Sequence, residues 1–307
     1  MVMVVFGAGG NVGRHVAAAL RSAGHPLRLT SRNPATLRPL DVTATFSAAA
    51  LSEAAISEAA FSAAGGAAEV EVVAADLDRP DTLPAALAGA THAFIYARPD
   101  GIDGFVRAAT DAGVRRVVLL SSAAVVLPGS ARNPIARQHR AVESALEESG
   151  LSWTFIRPGM FATNTLWWWS RPIRNGAAVR LPYPEAMTAP VSERDMAALA
   201  VTALIEPGHG RQAYTVYGPQ ALTLREQVEH IGAALGRRIP VEEVTPEQAR
   251  AELSEVMPAM GVEAIMGAWA AGTTTAPETS TIVEKLTGRP AQTFAAWARD
   301  HAADFRA

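Results

Sequence analysis

Gly7, Gly10 and Gly13 stand three residues apart, directly after the apolar run of residues 1–6. Glycines so spaced allow a tight turn, let a pyrophosphate approach the backbone, and bring a following helix close to the preceding strand. The helix N-terminus behind such a turn offers free N–H groups to phosphate oxygens. Gly7, Gly9, Gly10, Asn11, Val12 and Gly13 are therefore the first candidates for holding a dinucleotide. The spacing is Gly-x-x-Gly-x-x-Gly, not the Gly-x-Gly-x-x-Gly of common dehydrogenases. Read alone, it also fits a glycine-rich turn that binds nothing.

The end of the next strand bears on which dinucleotide. A unit that binds NAD places Asp or Glu about 20 residues past the glycines, on the ribose 2′-hydroxyl. Here residues 25–31 read as the strand, and its end is Thr30-Ser31-Arg32-Asn33, with no acid. Arg32 can grip a 2′-phosphate, Ser31 can add a second hydrogen bond, and Arg14 is a further cation within reach of the turn. The expectation is NADP(H) in preference to NAD(H).

Proton chemistry is more restricted. The Tyr-x-x-x-Lys pair of classical short-chain dehydrogenases lowers the tyrosine pKa so that the phenol can exchange a proton with a substrate oxygen. The tyrosines here are Tyr96, Tyr183, Tyr214 and Tyr217, and the single lysine, Lys285, follows none of them by four. That route to carbonyl reduction is excluded. Cysteine is absent, which excludes thiolate chemistry and disulfides, and no His-x-x-x-His-type spacing occurs, so no metal is expected. Tyr96, at a strand end, can line the nicotinamide or donate a proton; it equally fits a rim residue. Ser122 can bond substrate or ribose, or simply cap its strand.

The elements that position these residues alternate. Strands are expected at residues 1–6, 25–31, 70–77, 92–97, 114–122 and 153–157, with helices after the glycines and at 80–87, 105–112 and 139–149. Strands alternating with helices imply a doubly wound parallel sheet, an α/β fold of Rossmann type. Ligands in such sheets bind beyond the carboxyl ends of the strands. Asp76, Leu77, Tyr96, Ala97, Ser122 and the segment Pro158, Gly159, Met160, Phe161 fall there and join the cofactor-facing set. Residues 1–157 form the expected cofactor domain. Residues 158–307 form a smaller, mainly helical substrate lobe, with 190–218 returning to the sheet. The lobe carries Trp167-Trp168-Trp169, and three successive helical residues point in different directions. One facing outward would favour a flat aromatic ligand; all three could equally pack the lobe. Late helices are expected at 192–205, 222–235, 247–257, 262–271 and 294–305, and the third of the chain beyond Tyr217 holds a short strand at 241–244.

Four copies of a five-residue unit run from Phe46 to Gly65, inside an alanine-rich insertion at 38–68. A period of five suits neither one helix face nor one strand face. The insertion reads as a local duplication in a surface connection, or as a lid or dimer arm; a homodimer is compatible with the sequence. Net charge is −3 without charge blocks, which argues against a nucleic-acid surface. No apolar run reaches membrane-spanning length, and the chain starts as a core strand rather than a signal peptide. A cytoplasmic location is expected. One lysine among 27 basic residues, together with abundant alanine, suggests a GC-rich bacterial genome.

A set of motifs then carries a family resemblance. The turn Gly7-Ala-Gly-Gly-Asn-Val-Gly13, Arg32-Asn-Pro, Asp76-Leu77, Val117–Ser122, His139-x-x-x-Glu143-x-x-Leu146-x-x-Ser149-Gly150 and Thr154-Phe-Ile-Arg-Pro158-x-x-Phe161-x-x-Asn164 belong to it. So do Val191-Ser-Glu-Arg-Asp195 and Thr287-Gly-Arg-Pro-x-x-Thr293-Phe294-x-x-Trp297. Together they resemble the NmrA-like, NAD(P)H-binding branch of the atypical short-chain dehydrogenases, over most of the chain. That family contains quinone and other enone or imine reductases, and also proteins that bind NADP(H) without turnover. The resemblance implies a Lys or His at the position of His139, which makes His139 the first candidate for steering a substrate oxygen or holding the nicotinamide ribose. Asn164, Trp167 and Trp168 are the candidate substrate contacts. The expected activity is NADPH-dependent hydride transfer to a conjugated, aromatic or quinone-like small molecule. A non-catalytic NADP(H) sensor and a non-redox isomerase or cyclase on the same fold remain open.

Overall fold

The computed structural model describes residues 2–34 and 69–306, and the four pentads lie outside them. In chain order the strands are β1 (Val2–Val5), β2 (Leu27–Ser31), β3 (Val70–Ala74), β4 (Ala90–Tyr96), β5 (Arg116–Leu120), β6 (Ser152–Pro158), β7 (Val179–Leu181), β8 (Met187–Thr188), β9 (Gln212–Val216), β10 (Leu222–Thr223) and β11 (Val241–Glu243). The α-helices are α1 (Gly13–Ser22), α2 (Leu83–Leu87), α3 (Ile102–Asp111), α4 (Pro134–Glu148), α5 (Asn164–Arg174), α6 (Glu193–Ile205), α7 (Leu224–Leu235), α8 (Pro246–Ser254), α9 (Ala259–Gly272), α10 (Ile282–Thr287) and α11 (Phe294–Asp300). Two compact units emerge: residues 1–158, 193–216 and 282–290, and residues 159–192, 217–281 and 291–307. No helix among the described residues is long and apolar enough to cross a membrane.

The first unit is built on a seven-stranded sheet in the order β3-β2-β1-β4-β5-β6-β9, parallel at every pairing. It is an α/β fold of Rossmann type. Met3, Val4 and Val5 are buried, as a strand covered on both faces requires. Phe6 meets Phe105 of α3 edge to face, with centroids 5.7 Å apart. The strand order reverses between β1 and β4, and the crevice beyond their carboxyl ends is where such sheets bind ligands.

Helix α6 is apolar almost all round, and Leu199, Ala200, Val201, Ala203 and Leu204 are all buried. The Arg116 guanidinium caps its other end: Nη1 donates to the carbonyls of Ala203, Leu204 and Glu206 at 2.9, 3.0 and 2.5 Å. The first turn of α6 buries two carboxylates. Glu193 lies 3.8 Å from His15 Nε2, and Asp195 pairs with Arg289 at 3.0 Å. The Arg289 pair ties the segment after α10 to the sheet's helical layer.

Several expected boundaries move. Helix α4 begins at Pro134, not His139, because Asn133 Oδ1 accepts from the N–H groups of Ile135 and Ala136 at 2.9 and 3.3 Å. Asn at the N-cap and Pro at the first helical position are a strong start signal. His139 therefore sits inside the helix rather than opening it. Helix α3 starts at Ile102 instead of Phe105, and α10 had no expected counterpart.

The second unit is mainly helical. Its small strand pairs are β8 with β10, antiparallel, and β7 with β11, parallel. The expected capping box is present: Thr223 Oγ1 accepts from Glu226 N at 3.0 Å, and Thr223 N donates to Glu226 Oε2 at 2.7 Å. Trp168, Trp169, Trp269, Phe294 and Trp297 lie in one buried cluster with aliphatic residues from α7, α8 and α9.

Candidate active site

The glycine turn is constrained at three of its four glycines. Gly7 has φ of +69°, and a Cβ there would stand 3.0 Å from the Tyr96 ring. Gly10 N donates to Gly7 O at 2.8 Å. A Cβ on Gly13 would lie 2.1 Å from that same carbonyl oxygen. The turn and the end of β4 thus meet at the point where the strand order reverses. Helix α1 has no side-chain cap and no acid in its first turn. The N–H groups of Asn11, Val12 and Gly13 donate to no backbone carbonyl among the described residues. Arg14 Nε is buried without a hydrogen-bond partner among the described residues. Free donors, a cation and glycines that let a ligand approach suit the pyrophosphate of a dinucleotide. Gly9 is exposed on the rim of the turn.

The ends of β2 and β3 carry the next candidate residues. Ser31 is already committed: its hydroxyl donates to Asn33 O at 3.0 Å and accepts from Asn33 N at 3.2 Å. Arg32 is exposed next to it. Asp76 Oδ1 accepts from Asp78 N at 3.1 Å, and Thr82 Oγ1 binds Asp76 N at 3.0 Å, so the turn after β3 is fixed by its own side chains. Leu77 is buried, and Gly101 packs so tightly on its carbonyl that a Cβ would come within 1.9 Å. Burial raises the Tyr96 phenol above its ordinary range; the Asp76 charge adds to this and Arg32 opposes it. Arg32, Asp76 and Tyr96 therefore share one electrostatic neighbourhood, with half-buried Ala97 following. A phenol held up in this way is a donor at neutral pH.

Ser122 caps a short turn by accepting from Ala124 N at 3.2 Å. His139 is half-buried, and its Nδ1 has no hydrogen-bond partner among the described residues. Burial pushes its pKa below the ordinary histidine value, against the opposite pull of Glu143. One helical turn on, Glu143 is fully buried. Its Oε1 accepts from Ser121 Oγ at 2.7 Å and Arg157 Nε at 2.8 Å; its Oε2 accepts from Arg157 Nη2 at 2.8 Å and Arg140 Nη1 at 3.2 Å. The sequence reading missed this network, although a signal existed. Glu143 shares the apolar face of α4 with Val142 and Leu146, and a carboxylate on a buried stripe needs partners.

In the second unit, the segment after Pro158 is held by backbone bonds. Val191 N donates to Met160 O at 2.8 Å, Ala162 N donates to Val191 O at 2.9 Å, and Phe161 bridges Val191. Gly159, Met160 and Phe161 are half-buried there. Asn164 opens α5 and is half-buried. The three tryptophans separate: Trp167 is 64% exposed, while Trp168 and Trp169 are buried. Trp168 packs edge to face on Trp269 at 5.2 Å. Of the two tryptophans expected to touch substrate, Trp167 alone presents an open ring; Trp168 belongs to the core. No His/Asp/Glu group fit to hold a metal occurs among the described residues.

Comparison with known proteins identifies the family. A model of the NAD(P)H-binding family matches residues 7–207. The chain is 37% identical over 310 residues to a (4-alkanoyl-5-oxo-2,5-dihydrofuran-3-yl)methyl phosphate reductase of Streptomyces griseus, covering 99% of each chain. It is 34% identical over 318 residues to an NAD(P)H azoreductase of Xenophilus azovorans, covering all of both. Its fold is similar to that of a Citrobacter triphenylmethane reductase solved with NADP(H), with a TM-score of 0.71 at 21% identity over 98% of this chain and 100% of that one. The chain thus belongs to the NAD(P)H-binding family and is an NAD(P)H-dependent oxidoreductase.

Proposed function

We propose that this oxidoreductase prefers NADPH and reduces a conjugated, aromatic or quinone-like small molecule. One observation carries the reading: two full-length relatives are named for reducing an azo group and an acylated dihydrofuranone. Both are electron-poor double bonds in conjugation. Such an acceptor spreads the incoming charge, so a site without a Tyr–Lys pair needs only a hydrogen-bond donor. The test is consumption of NADPH or NADH with an azo dye, a naphthoquinone, an acyl dihydrofuranone and a saturated ketone. The conjugated acceptors should be reduced, with NADPH favoured, and the ketone left untouched. Reduction of the ketone alone would contradict the reading.

Bound NADPH supplies the hydride, and the chain's residues bind and steer. The turn 7–13 would hold the pyrophosphate, and Asp76 and Leu77 would flank the adenosine. Arg32 would take the 2′-phosphate, with Arg14 as a second cation near the turn. Arg32→Ala should weaken NADPH binding by about 1.5–3 kcal/mol, the range for a hydrogen bond to a charged group, and leave NADH unchanged. Equal loss for both cofactors in a fluorescence titration would contradict it. Asn164 and the open ring of Trp167 are the proposed substrate contacts.

His139 is the proposed donor to the acceptor. Since burial lowers its pKa, it is neutral at pH 7 and keeps one N–H to give. It steers by hydrogen bonding and does not store a proton. His139→Ala should lower kcat/KM by up to about 10²-fold, the low end for losing an acid–base group. His139→Gln, which keeps a donor, should retain most activity. The neutral form persists as pH falls to the ordinary histidine value of about 6.5 and is lost only below it. The wild-type profile should therefore stay level from pH 8 to 6.5. Activity that falls steadily as pH rises from 6.5 to 8, an effect absent in His139→Ala, would show that the imidazolium is required.

A further inference from the structure

The carboxylate of Glu143 is fully buried and receives four donor bonds, from Ser121, Arg140 and Arg157, none of which is read as a cofactor or substrate contact. Two of its three partners stand at the carboxyl ends of neighbouring strands, and the third, Arg140, shares its helix. Ser121 follows β5, Arg157 is the penultimate residue of β6, and Glu143 itself lies on α4. Each is adjacent to a candidate site residue: Ser121 to Ser122, Arg157 to Pro158, and Glu143 to His139 one helical turn away. Arg157 is held further by the Phe155 ring, 5.7 Å below its guanidinium, and Ser121 N donates to Ile156 O at 2.7 Å.

A buried ion pair is weak evidence for stability, because desolvating both charges offsets their attraction. Apolar residues of similar size would often fill the same space at equal or greater stability. What such residues cannot supply is direction. Arg157 meets the carboxylate with two parallel N–H···O bonds, which fix orientation as well as distance. Ser121 adds a third bond that sets β5 against β6.

We propose that Glu143 is a positioning residue: through Ser121 and Arg157 it holds Ser122, Pro158 and His139 in one arrangement facing the nicotinamide. This rests on the reading of those three residues as the site. Small misplacements of reacting groups are costly, because a shift of about 1 Å can cost on the order of 10²-fold in rate. The carboxylate acts only through its neighbours and exchanges no proton with substrate.

The experiment replaces the network with apolar residues in the triple variant Ser121→Ala, Glu143→Leu, Arg157→Met, and measures thermal midpoint, NADPH affinity and turnover of an azo dye. The expected result is a midpoint within a few degrees of wild type, NADPH affinity reduced several-fold, and turnover reduced about tenfold or more. A purely structural network predicts that midpoint, NADPH affinity and turnover all stay near wild type, and that result overturns the proposal. Should the triple variant fail to fold, Ser121→Ala alone decides. It removes one donor and strands no charge, and an unchanged midpoint with slower turnover supports the positioning role. Wild-type affinity and turnover in Ser121→Ala would then overturn it. His139→Ala, assayed alongside, keeps the two ideas apart. If it matches wild type while the triple variant is slow, His139 is no donor, and positioning stands through Ser122 and Pro158. If no acceptor is reduced even by wild type, the substrate reading fails, and NADPH affinity alone judges the network.

Discussion

Gly13→Ala should lose NADPH affinity by about 100-fold or more, equivalent to roughly 2.7 kcal/mol, in a titration of nicotinamide fluorescence. The added Cβ would sit 2.1 Å from Gly7 O and 2.8 Å from Gly7 C, far inside contact distance and against backbone rather than a movable side chain. Gly7 O cannot retreat freely, because it accepts from Gly10 N and closes the turn. Gly7 cannot readjust its own backbone cheaply either, with φ at +69° and the Tyr96 ring 3.0 Å from where its Cβ would be. The clash must push α1 away from β1, carrying the N–H groups of residues 11–13 off the phosphate position. Gly267→Ala is the matched control. A Cβ there meets nothing within 4 Å, and alanine in a helix interior is favoured over glycine by about 0.5–1 kcal/mol. Its NADPH affinity should equal wild type. Full affinity in Gly13→Ala would show that the turn does not hold the pyrophosphate.

Asp195→Ala should cost about 3 kcal/mol of stability, read as a lower midpoint in denaturant and several degrees in Tm. Asp195 is completely buried in the first turn of α6, and Arg289, 3.0 Å away, keeps 19% of its side chain in solvent. Removing one partner of a buried pair typically costs about 3–5 kcal/mol. The low end applies because Arg289 can turn partly into water. The helix also loses a carboxylate at its N-terminal end, where the dipole favours one. Asp195→Asn keeps the shape and one acceptor and should fall between the two. A midpoint in Asp195→Ala equal to wild type would mean that Arg289 finds another acceptor at no cost.

What could be read from the sequence follows from how far apart the determining residues lie. The sheet was legible because strands buried on both faces read as apolar runs, and β1, β4 and β5 do so. The glycine turn was legible because its constraint is local: residues 7, 10 and 13 restrain one another. The start of α4 carries a local signal too, the Asn133–Pro134 cap, but apolar periodicity, which grows clear only near His139, points to a later start. Strands β7, β8 and β10 have two or three residues, too few to show alternation, and α10 has fewer than two turns. The Glu143 network joins residues 14 and 22 positions apart, which only the packing of β5, β6 and α4 brings together. The three tryptophans were recognisable as a helical set facing different ways. Which of them faced outward was decided by the position of Trp269, a hundred residues on.

Hydride transfer to a conjugated acceptor is tested most directly with NADPH deuterated at C4 and an acyl dihydrofuranone as acceptor. The predicted result is one deuterium on a carbon of the former ring double bond, with the labelled cofactor consumed more slowly in a single turnover. Reduced product free of deuterium, or tight NADPH binding with no consumption by any conjugated acceptor, would contradict it.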